Sequence, residues 1–316
     1  MGKRKFYPNY LGVMIKGMAM GAADVIPGVS GGTIAFISGI YEELLGSIKS
    51  INLENLKLIF QKGGIVKFWN AINANFLLAV LTGILISVFS LASLLQHLLK
   101  VYPIMVWSFF FGLILSSSWI VAKKVKVKTW GVLVAFVVGV IGAFYITVAT
   151  PTTTPDAYWF IFLSGAIAIC AMILPGISGS FILLLLGKYF FILGAVTSLN
   201  IPILCIFAAG ALIGIISFSN LLTWLLGKYH DITVGVLAGF MIGSLNKLWP
   251  WKLTLDSFVD RHGEVVPLVE KNVLPAVFEG ATNTPAMLGS AIGFMLLGVC
   301  IITVIEIIAN KLTRLN

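Results

Sequence analysis

Long apolar runs separated by short polar segments fill most of the chain. Most are close to the roughly 20 residues that an α-helix needs to cross a bilayer, and they cover residues 9–26, 30–48, 75–95, 103–122, 130–149, 158–174, 178–199, 201–226, 232–248 and 286–309. Of the 316 residues, 59% are hydrophobic and only 10% are charged. Because one water-soluble core cannot bury that much hydrocarbon, lipid must be the main solvent. The pattern predicts an all-α polytopic membrane protein.

Two of these runs belong to an internal repeat. Residues 21–48 read GAADVIPGVSGGTIAFISGIYEELLGSI, and residues 169–196 read ICAMILPGISGSFILLLLGKYFFILGAV. Pro175 lies 148 residues after Pro27, and at this offset ten of 28 positions are identical. Beyond the motif the offset falls to 127, because the first copy carries a polar insert. We therefore predict one membrane domain, residues 1–316, with the following parts: repeat 1 at about 9–149, repeat 2 at about 158–310, the insert at about 49–74 and a long loop at about 249–285.

Lysine and arginine in the loops predict the orientation, since these residues accumulate on the cytoplasmic side of membranes. The basic N-terminus, the 49–74 insert, the loop at 123–128 and the C-terminus are expected in the cytoplasm, and the 249–285 loop is expected outside. Five segments per repeat turn the second copy upside down, which gives two inverted repeats. The net charge of +9 is spread over these loops, so it reflects topology rather than nucleic-acid binding.

The basic N-terminus followed by an apolar run also has the pattern of a secretory signal. The equivalent run of the second copy, residues 158–174, lies in mid-chain. Both runs are therefore interpreted as parts of the fold.

The repeated turn combines a helix break with the start of a new helix. Proline ends a helix, glycines let the backbone bend and approach a ligand, and serine is a good N-cap. We interpret each motif as a re-entrant helical hairpin followed by three transmembrane helices. Two helix N-termini then meet near the bilayer midplane, which suits an anion such as phosphate. The candidate substrate-binding residues are Pro27, Gly28, Ser30, Gly31, Gly32 and Thr33 in the first copy and Pro175, Gly176, Ser178, Gly179 and Ser180 in the second.

A purely structural explanation of the turns stays open at this point. Glycines permit tight helix packing and prolines kink membrane helices without any ligand. The duplication of the turn in inverted copies favours the binding site.

Ionisable residues near the turns are further candidates. Asp24 lies three residues before Pro27, within about 5 Å of the turn along a helix, where a carboxylate is costly. It is a candidate proton carrier that neutralises itself as an anion binds, and it is equally a local cap for the N–H groups that follow. Glu42, Lys16 and Lys188 are expected near the interfaces, where they snorkel or form charged mouths for a head group. The cysteines lack metal-type spacing and the histidines lie far apart in sequence, so no metal, cofactor or disulfide is expected.

The segments ADVIPGVSGGTIAFISGIYEEL and LPGISGSFILLLLGKY resemble a bacterial family of polyprenyl-phosphate transporters of the PopT type. The resemblance implies a multi-pass protein of the bacterial cell membrane that is not an enzyme. Its substrate would be undecaprenyl phosphate, moved from the outer to the cytoplasmic leaflet for reuse in cell-envelope synthesis, with protons as a candidate coupling ion. Asp24 and Glu42 are among the positions that match the family's motif, and they are the candidates for coupling or charge relay. The second copy has Met172 and Phe190 at the acidic positions, so strict symmetry of function is not expected.

Two other classes of protein remain as alternatives. A membrane polyprenyl-diphosphate phosphatase would need a nucleophile with acid, base and arginine or metal support, yet the motif segments contain no arginine and no histidine. A small-anion transporter or channel would use similar helix ends to line a pore.

Overall fold

The structure, a computed structural model, describes residues 10–25, 30–127, 129–259 and 265–315, and it is nearly all-helical. The first half contains, in order, α1 (Tyr10–Val25), α2 (Gly31–Ile37), α3 (Tyr41–Lys49), α4 (Leu53–Leu56), α5 (Gly64–Ala71), α6 (Ala74–Val101), α7 (Pro103–Lys123) and α8 (Trp130–Val148). The second half contains α9 (Tyr158–Ile173), α10 (Gly179–Leu185), α11 (Tyr189–Thr197), α12 (Ile201–Lys228), α13 (His230–Ser244), β1 (Lys252–Val259), β2 (Val265–Asn272), α14 (Pro275–Thr282) and α15 (Leu288–Leu315). Short 3-10 turns follow α4 and α13.

Fewer helices are long enough to cross a membrane than the ten apolar runs predicted. Within the described residues, five helices are long and apolar enough to cross a bilayer: α6, α7, α8, α12 and α13 with its 3-10 turn. A sixth span arises if α10 and α11 count as one helix bent by 109°. The chain is thus a membrane protein with five or six such helices among its described residues, and the apolar stretches Tyr158–Ile173 and Leu288–Val304 are shorter.

Both motif runs, predicted as continuous apolar segments, are broken in two by a glycine. Gly39 (φ 75°) separates α2 from α3, and Gly187 (φ 64°) separates α10 from α11. These left-handed conformations are favourable for glycine and end a helix. The residue after each glycine donates its N–H to the carbonyl five positions back, to Ala35 in the first copy and to Leu183 in the second.

The long helices pack in pairs, α1 with α6, α9 with α12, α7 with α15 and α8 with α13. Glycines allow the backbones to touch. A Cβ on Gly17 of α1 would lie 2.4 Å from a carbonyl oxygen of α6, and one on Gly165 of α9 would lie 2.3 Å from a carbonyl oxygen of α12. For these glycines the structural explanation, tight helix packing, is the right one.

Helices at equivalent places in the two halves have equal lengths. The helices α1 and α9 have 16 residues each, α2 and α10 have seven, α3 and α11 have nine, and α6 and α12 have 28. The local geometry at the end of α6 also recurs at the end of α12, since Tyr102 has φ −129° and ψ 50° and Tyr229 has φ −129° and ψ 49°.

The prediction of an all-α chain was wrong in the 249–285 loop. Strands β1 and β2 form an antiparallel hairpin there, and α14 follows. Trp251 is buried beside this hairpin and donates its indole N–H to the carbonyl of Ala286 at 2.9 Å. The loop is therefore a folded cap on one end of the bundle.

The protein core lies around α2, α7 and α13, with Phe36, Ile114 and Met241 among its buried side chains. Large apolar side chains elsewhere on the long helices are exposed, such as Phe89 of α6 and Leu212 of α12. Since exposed apolar surface of this extent is stable only in lipid, these faces contact the membrane. The motif helix α2 is in the core, where it is shielded from that lipid.

Candidate functional site

The first turn closes the start of α2 with side chains of its own copy. Ser30 is the N-cap, and its Oγ accepts the N–H of Gly32 at 3.0 Å. Asp24 Oδ1 accepts the N–H of Gly31 at 2.7 Å. The local capping role of Asp24 is thus present in the structure. Pro27 and Gly28, which we also predicted in this site, lie outside the described residues.

The second oxygen of Asp24 differs from the first. Asp24 Oδ2 is buried and has no hydrogen-bond partner among the described residues. It lies against the backbone of α2, since a Cβ on Gly31 would be 2.5 Å from it. One oxygen of this carboxylate is therefore used by the turn, and the other has no partner among the described residues.

The second turn starts α10 in a different way. Gly176 has φ 93°, a left-handed conformation, and packs against α13, where its Cβ would be 2.7 Å from Ser244 Oγ. Ser178 is the N-cap, but within the described ranges its side chain caps no N–H of α10. Its Oγ instead shares a hydrogen bond of 2.8 Å with the Oγ of Ser180. Two hydroxyls are thus held together at the start of this helix.

The two turns are in direct contact. Thr33 Oγ1 accepts the N–H of Gly176 at 2.8 Å, and Ser30 Oγ donates to the carbonyl of Met172 at 2.8 Å. Ser30 and Thr33 are both completely buried. A Cβ on Gly32 would lie 2.3 Å from the carbonyl oxygen of Ile173. Two distant parts of the sequence therefore form one buried polar junction, which we call the turn junction.

Residues predicted at the charged mouths lie away from this junction. Glu42 lies in the first turn of α3, and its side chain is 74% exposed, with Oε1 4.0 Å from His230 Nε2. His230 Nδ1 in turn lies 3.1 Å from Asp231 Oδ1. Lys16 donates to the carbonyl of Ser38 at 2.8 Å. The structure thus places Glu42 and Lys16 near the break between α2 and α3, and the relay from Asp24 to Glu42 stays a prediction.

Lys188 is buried, in contrast to the predicted lysine at an open interface. Only 1% of it is exposed. Its ammonium group pairs with Asp156, donates to the carbonyl of Thr154 at 2.9 Å and lies over the rings of Phe160 and Phe191. Because the charge already has an internal partner, snorkelling does not describe this residue.

Several contacts of the turn junction were missing from the sequence-based prediction. Met172 and Ile173 contribute backbone carbonyls, which leave no signature in the side-chain pattern. Ser244 contributes from α13, a helix that carries no part of the motif. Only the repeat itself signalled that the two turns belong together.

A bundle of apolar helices in which two turns distant in sequence make polar contacts in the buried interior is typical of membrane transporters. Comparison with known proteins agrees. A family model described as VCA0040-like, undecaprenyl phosphate translocase-like, matches residues 20–266. The chain belongs to this family, as the motif resemblance indicated, and the family is one of transporters rather than enzymes.

Two relatives extend the similarity. A protein of Vibrio cholerae serotype O1 named polyprenyl-phosphate transporter is 48% identical over 303 residues, which cover 96% of this chain and 98% of the relative. A protein of the same name from Staphylococcus aureus is 32% identical over 255 residues, 75% of this chain and 85% of the relative. No solved structure matches the chain.

Proposed function

We propose that this protein is a flippase that moves undecaprenyl phosphate from the outer to the cytoplasmic leaflet of the bacterial cell membrane. The observation that carries the proposal is the direct contact between the two motif turns in the buried interior. Family membership supplies the lipid class, since the relatives are named polyprenyl-phosphate transporters. A phosphate head group cannot cross hydrocarbon unaided, because an unpaired charge there is very costly. A buried polar junction between helices lowers that cost.

The transport architecture that we propose is a pair of inverted repeats, at about 9–149 and 158–310, each with a re-entrant motif hairpin. Equal helix lengths in the two halves support the repeat, as do the matching breaks at Gly39 and Gly187. The packing supports it as well, since α7 of the first half pairs with α15 and α8 pairs with α13 of the second. Exchange of helices between the halves gives a bundle in which one half rocks against the other around a central site.

The orientation follows the distribution of lysine and arginine in the loops. Both termini and the 49–74 insert face the cytoplasm, and the β-hairpin with α14 faces outwards. The prenyl tail stays in lipid, beside the exposed apolar faces of α6, α8 and α12.

The phosphate binds at the turn junction, where backbone N–H groups and hydroxyls are the donors. Ser178 and Ser180 share one hydrogen bond, so one hydroxyl proton of the pair is left to donate to a ligand. The N–H of Gly31 donates to Asp24, so this carboxylate fills the position at the start of α2 where a phosphate oxygen would bind. Protonation of Asp24 weakens its hold on this N–H, and a phosphate oxygen then takes its place. This exchange is the proposed basis of proton coupling.

Translocation of labelled undecaprenyl phosphate in sealed proteoliposomes tests the function. Free phosphate and ionic current are recorded from the same preparation. We expect movement of the lipid between leaflets without released phosphate and without current in lipid-free controls. Released phosphate would identify a phosphatase, and current without lipid movement would identify a small-anion channel.

A double variant, Ser178→Ala/Ser180→Ala, tests the site in the same assay. The two hydroxyls bond to each other, so their joint removal leaves neither one without its partner. We expect at least about a tenfold loss of transport, the effect of losing one hydrogen bond to a charged group. The matched control is Ser90→Ala, which removes a hydroxyl that bonds within α6 on an exposed face. Equal transport by the double variant and the control would place the phosphate elsewhere.

A further inference from the structure

A cavity with a charged lining lies beside the second turn, at the end of the bundle that carries the β-hairpin. Its volume is about 340 Å³, within the range of small-molecule sites. Its walls come from the end of α8, from α10, from the 3-10 turn after α13 and from both strands of the hairpin. We call it the lysine cavity, because its charged lining residues are Lys247, Lys252, Lys271 and Glu270.

The charge of the lysine cavity favours an anion. Among the described lining residues, three ammonium groups face one carboxylate. Glu270 Oε2 lies 3.0 Å from Lys247 Nζ and 3.5 Å from Lys252 Nζ, so a single carboxylate is shared by two lysines. Lys271 is exposed at the rim of the cavity. The cavity therefore keeps an excess of positive charge after its internal ion pairs are formed.

Lys252 is the most unusual residue of the cavity. Its side chain is only 7% exposed, and its Nζ lies 3.8 Å from the centre of the Trp107 ring. Although Glu270 is near, Nζ has no hydrogen-bond partner among the described residues. Its charge is balanced by the Trp107 ring and by a carboxylate that it shares with Lys247. A phosphate oxygen would add the hydrogen-bond acceptor that this ammonium lacks.

Other polar side chains of the cavity already hold its walls. Asn246 donates to Thr147 Oγ1 at 2.8 Å, which ties the 3-10 turn to α8. Asn272 donates to the carbonyl of Asn246 at 2.6 Å, which ties the hairpin to the same turn. The amides thus stabilise the shape of the cavity.

The lysine cavity adjoins the second turn through two elements. Ser244 packs on Gly176, and Lys247 follows three residues later in the 3-10 turn, a rise of roughly 6 Å. The same Lys247 lies over the ring of Phe181, 4.9 Å from its centre. Phe181 belongs to α10, two residues after the helix begins. A ligand in the cavity is therefore about one helical turn from the turn junction.

We propose that the lysine cavity binds the phosphate monoester of the lipid head group before that group reaches the turn junction. The inference rests on the proposed function and adds an entry subsite to it. The ammonium of Lys252 supplies hydrogen bonds to the phosphate, and Lys271 at the rim attracts it. In the proposed orientation the cavity faces outwards, on the side from which the lipid is collected.

Equilibrium binding to the purified full chain in detergent tests the subsite, with farnesyl phosphate and inorganic phosphate as probes. We expect farnesyl phosphate to bind at least about tenfold more tightly than inorganic phosphate. Lys252→Gln and Lys271→Gln are each expected to weaken farnesyl phosphate binding about tenfold. The control, Lys126→Gln, removes an exposed lysine in the loop after α7 and leaves binding unchanged.

A variant that should strengthen binding distinguishes lysines that bind the ligand from lysines that only form a structural ion pair with Glu270. Glu270→Gln frees both lysines from their internal partner, so we expect farnesyl phosphate to bind several-fold more tightly. Weaker binding by this variant, or unchanged binding by both lysine variants, would overturn the subsite. Equal affinity for inorganic and farnesyl phosphate would overturn the assignment to a lipid head group.

Transport by the same preparations distinguishes failure of this inference from failure of the proposed function. If wild-type protein moves the lipid and the lysine variants bind and transport equally well, the function stands and the subsite is wrong. If wild-type protein moves no lipid, the function itself fails, and the subsite as a step of lipid entry fails with it.

Discussion

The start of α2 and the start of α10 share a sequence motif and a length, yet their surroundings differ. At α2 the N–H groups of Gly31 and Gly32 are bound by Asp24 and Ser30 of the same copy. At α10 no side chain caps the helix within the described ranges, and Ser178 bonds to Ser180. The first helix start is capped by side chains of its own copy, and the second has no side-chain cap among the described residues.

The difference extends to three aligned positions. At the offset of 148 residues, Asp24, Gly32 and Thr33 correspond to Met172, Ser180 and Phe181. Gly32 and Thr33 contact the second turn, whereas Asp24 caps the N–H of Gly31 in its own turn. Phe181 of the second set lines the lysine cavity. The two turns thus share a motif and differ in the side chains at these positions. In the proposed mechanism the first turn carries the proton and the second receives the ligand.

The largest effect is expected when the aligned residues Gly32 and Ser180 are each replaced by the residue of the other turn. Gly32→Ser gives the first turn the residue of the second, but the new Cβ would lie 2.3 Å from the Ile173 carbonyl oxygen. We expect a loss of about 3 kcal/mol in folding free energy from this overpacking. The reverse change, Ser180→Gly, should cost about 1 kcal/mol, from one hydrogen bond and added chain entropy. Thermal unfolding in detergent, followed by tryptophan fluorescence, measures both, and equal losses would contradict the asymmetry.

Removing the two N-cap hydroxyls is the next test. Ser30 accepts one hydrogen bond and donates another to Met172, so Ser30→Ala should cost about 2 kcal/mol. Ser178→Ala loses only the contact with Ser180 and should cost about 1 kcal/mol or less. The same unfolding measurement compares the two variants. A larger loss of stability for Ser178→Ala than for Ser30→Ala would mean that the second N-cap, not the first, contributes more to folding.

Asp24→Asn tests the coupling assigned to the first turn. The amide oxygen still accepts the N–H of Gly31, so we expect the protein to fold normally. A neutral amide cannot carry a proton, so transport should fall about tenfold, a coupling free energy of ~1.4 kcal/mol, and lose its dependence on pH. Initial transport rates between pH 6 and 8 provide the measurement. Full pH dependence in this variant would end the hypothesis that Asp24 carries the proton.

The smallest expected effect is the pH dependence of binding in the lysine cavity. Burial lowers the pKa of Lys252 to about 8; Glu270 opposes this shift and Lys247 adds to it. Burial acts to raise the pKa of Glu270, but the two lysines outweigh it and the pKa lies below its usual value. Glu270 therefore stays charged in this range, while Lys252 loses its charge as the pH rises through about 8.

Because the cavity loses one positive charge in this step, phosphate binding should weaken at higher pH. We expect about a threefold loss of farnesyl phosphate affinity between pH 7 and pH 9, a change of ~0.7 kcal/mol. Titration of binding with pH measures it, and Lys252→Gln serves as the control that removes the step. A rise in affinity over this range would contradict the charge assignment.

Much of the helical framework could be predicted from the sequence, because apolar runs and the repeat are strong signals. The boundaries of α7 and α8 follow the predicted runs closely. Breaks within the motif runs were missed, although Gly39 and Gly187 recur at the offset of the repeat. Glycine is common in membrane helices, so its presence alone does not distinguish a break from a packing contact.

The candidate site was predicted less completely than the framework. The motif identified both turns, but their contact runs through the carbonyls of Met172 and Ile173, which no side-chain pattern reveals. The lysine cavity was missed because Lys252 and Lys271 lie in the 249–285 loop, for which no strands were predicted. The alternation of Leu253 and Leu255 with polar residues in β1 was the available signal for a strand.

The most direct test of the account is a double-mutant cycle on lipid translocation with Asp24→Asn, Ser178→Ala and both together. If the two turns form one site, each single variant disables the same step, and the double variant should transport no more slowly than the worse single variant. Initial rates of undecaprenyl phosphate movement in sealed proteoliposomes give the result. Losses that multiply in the double variant would mean that the turns act independently, which would contradict a single site at their junction.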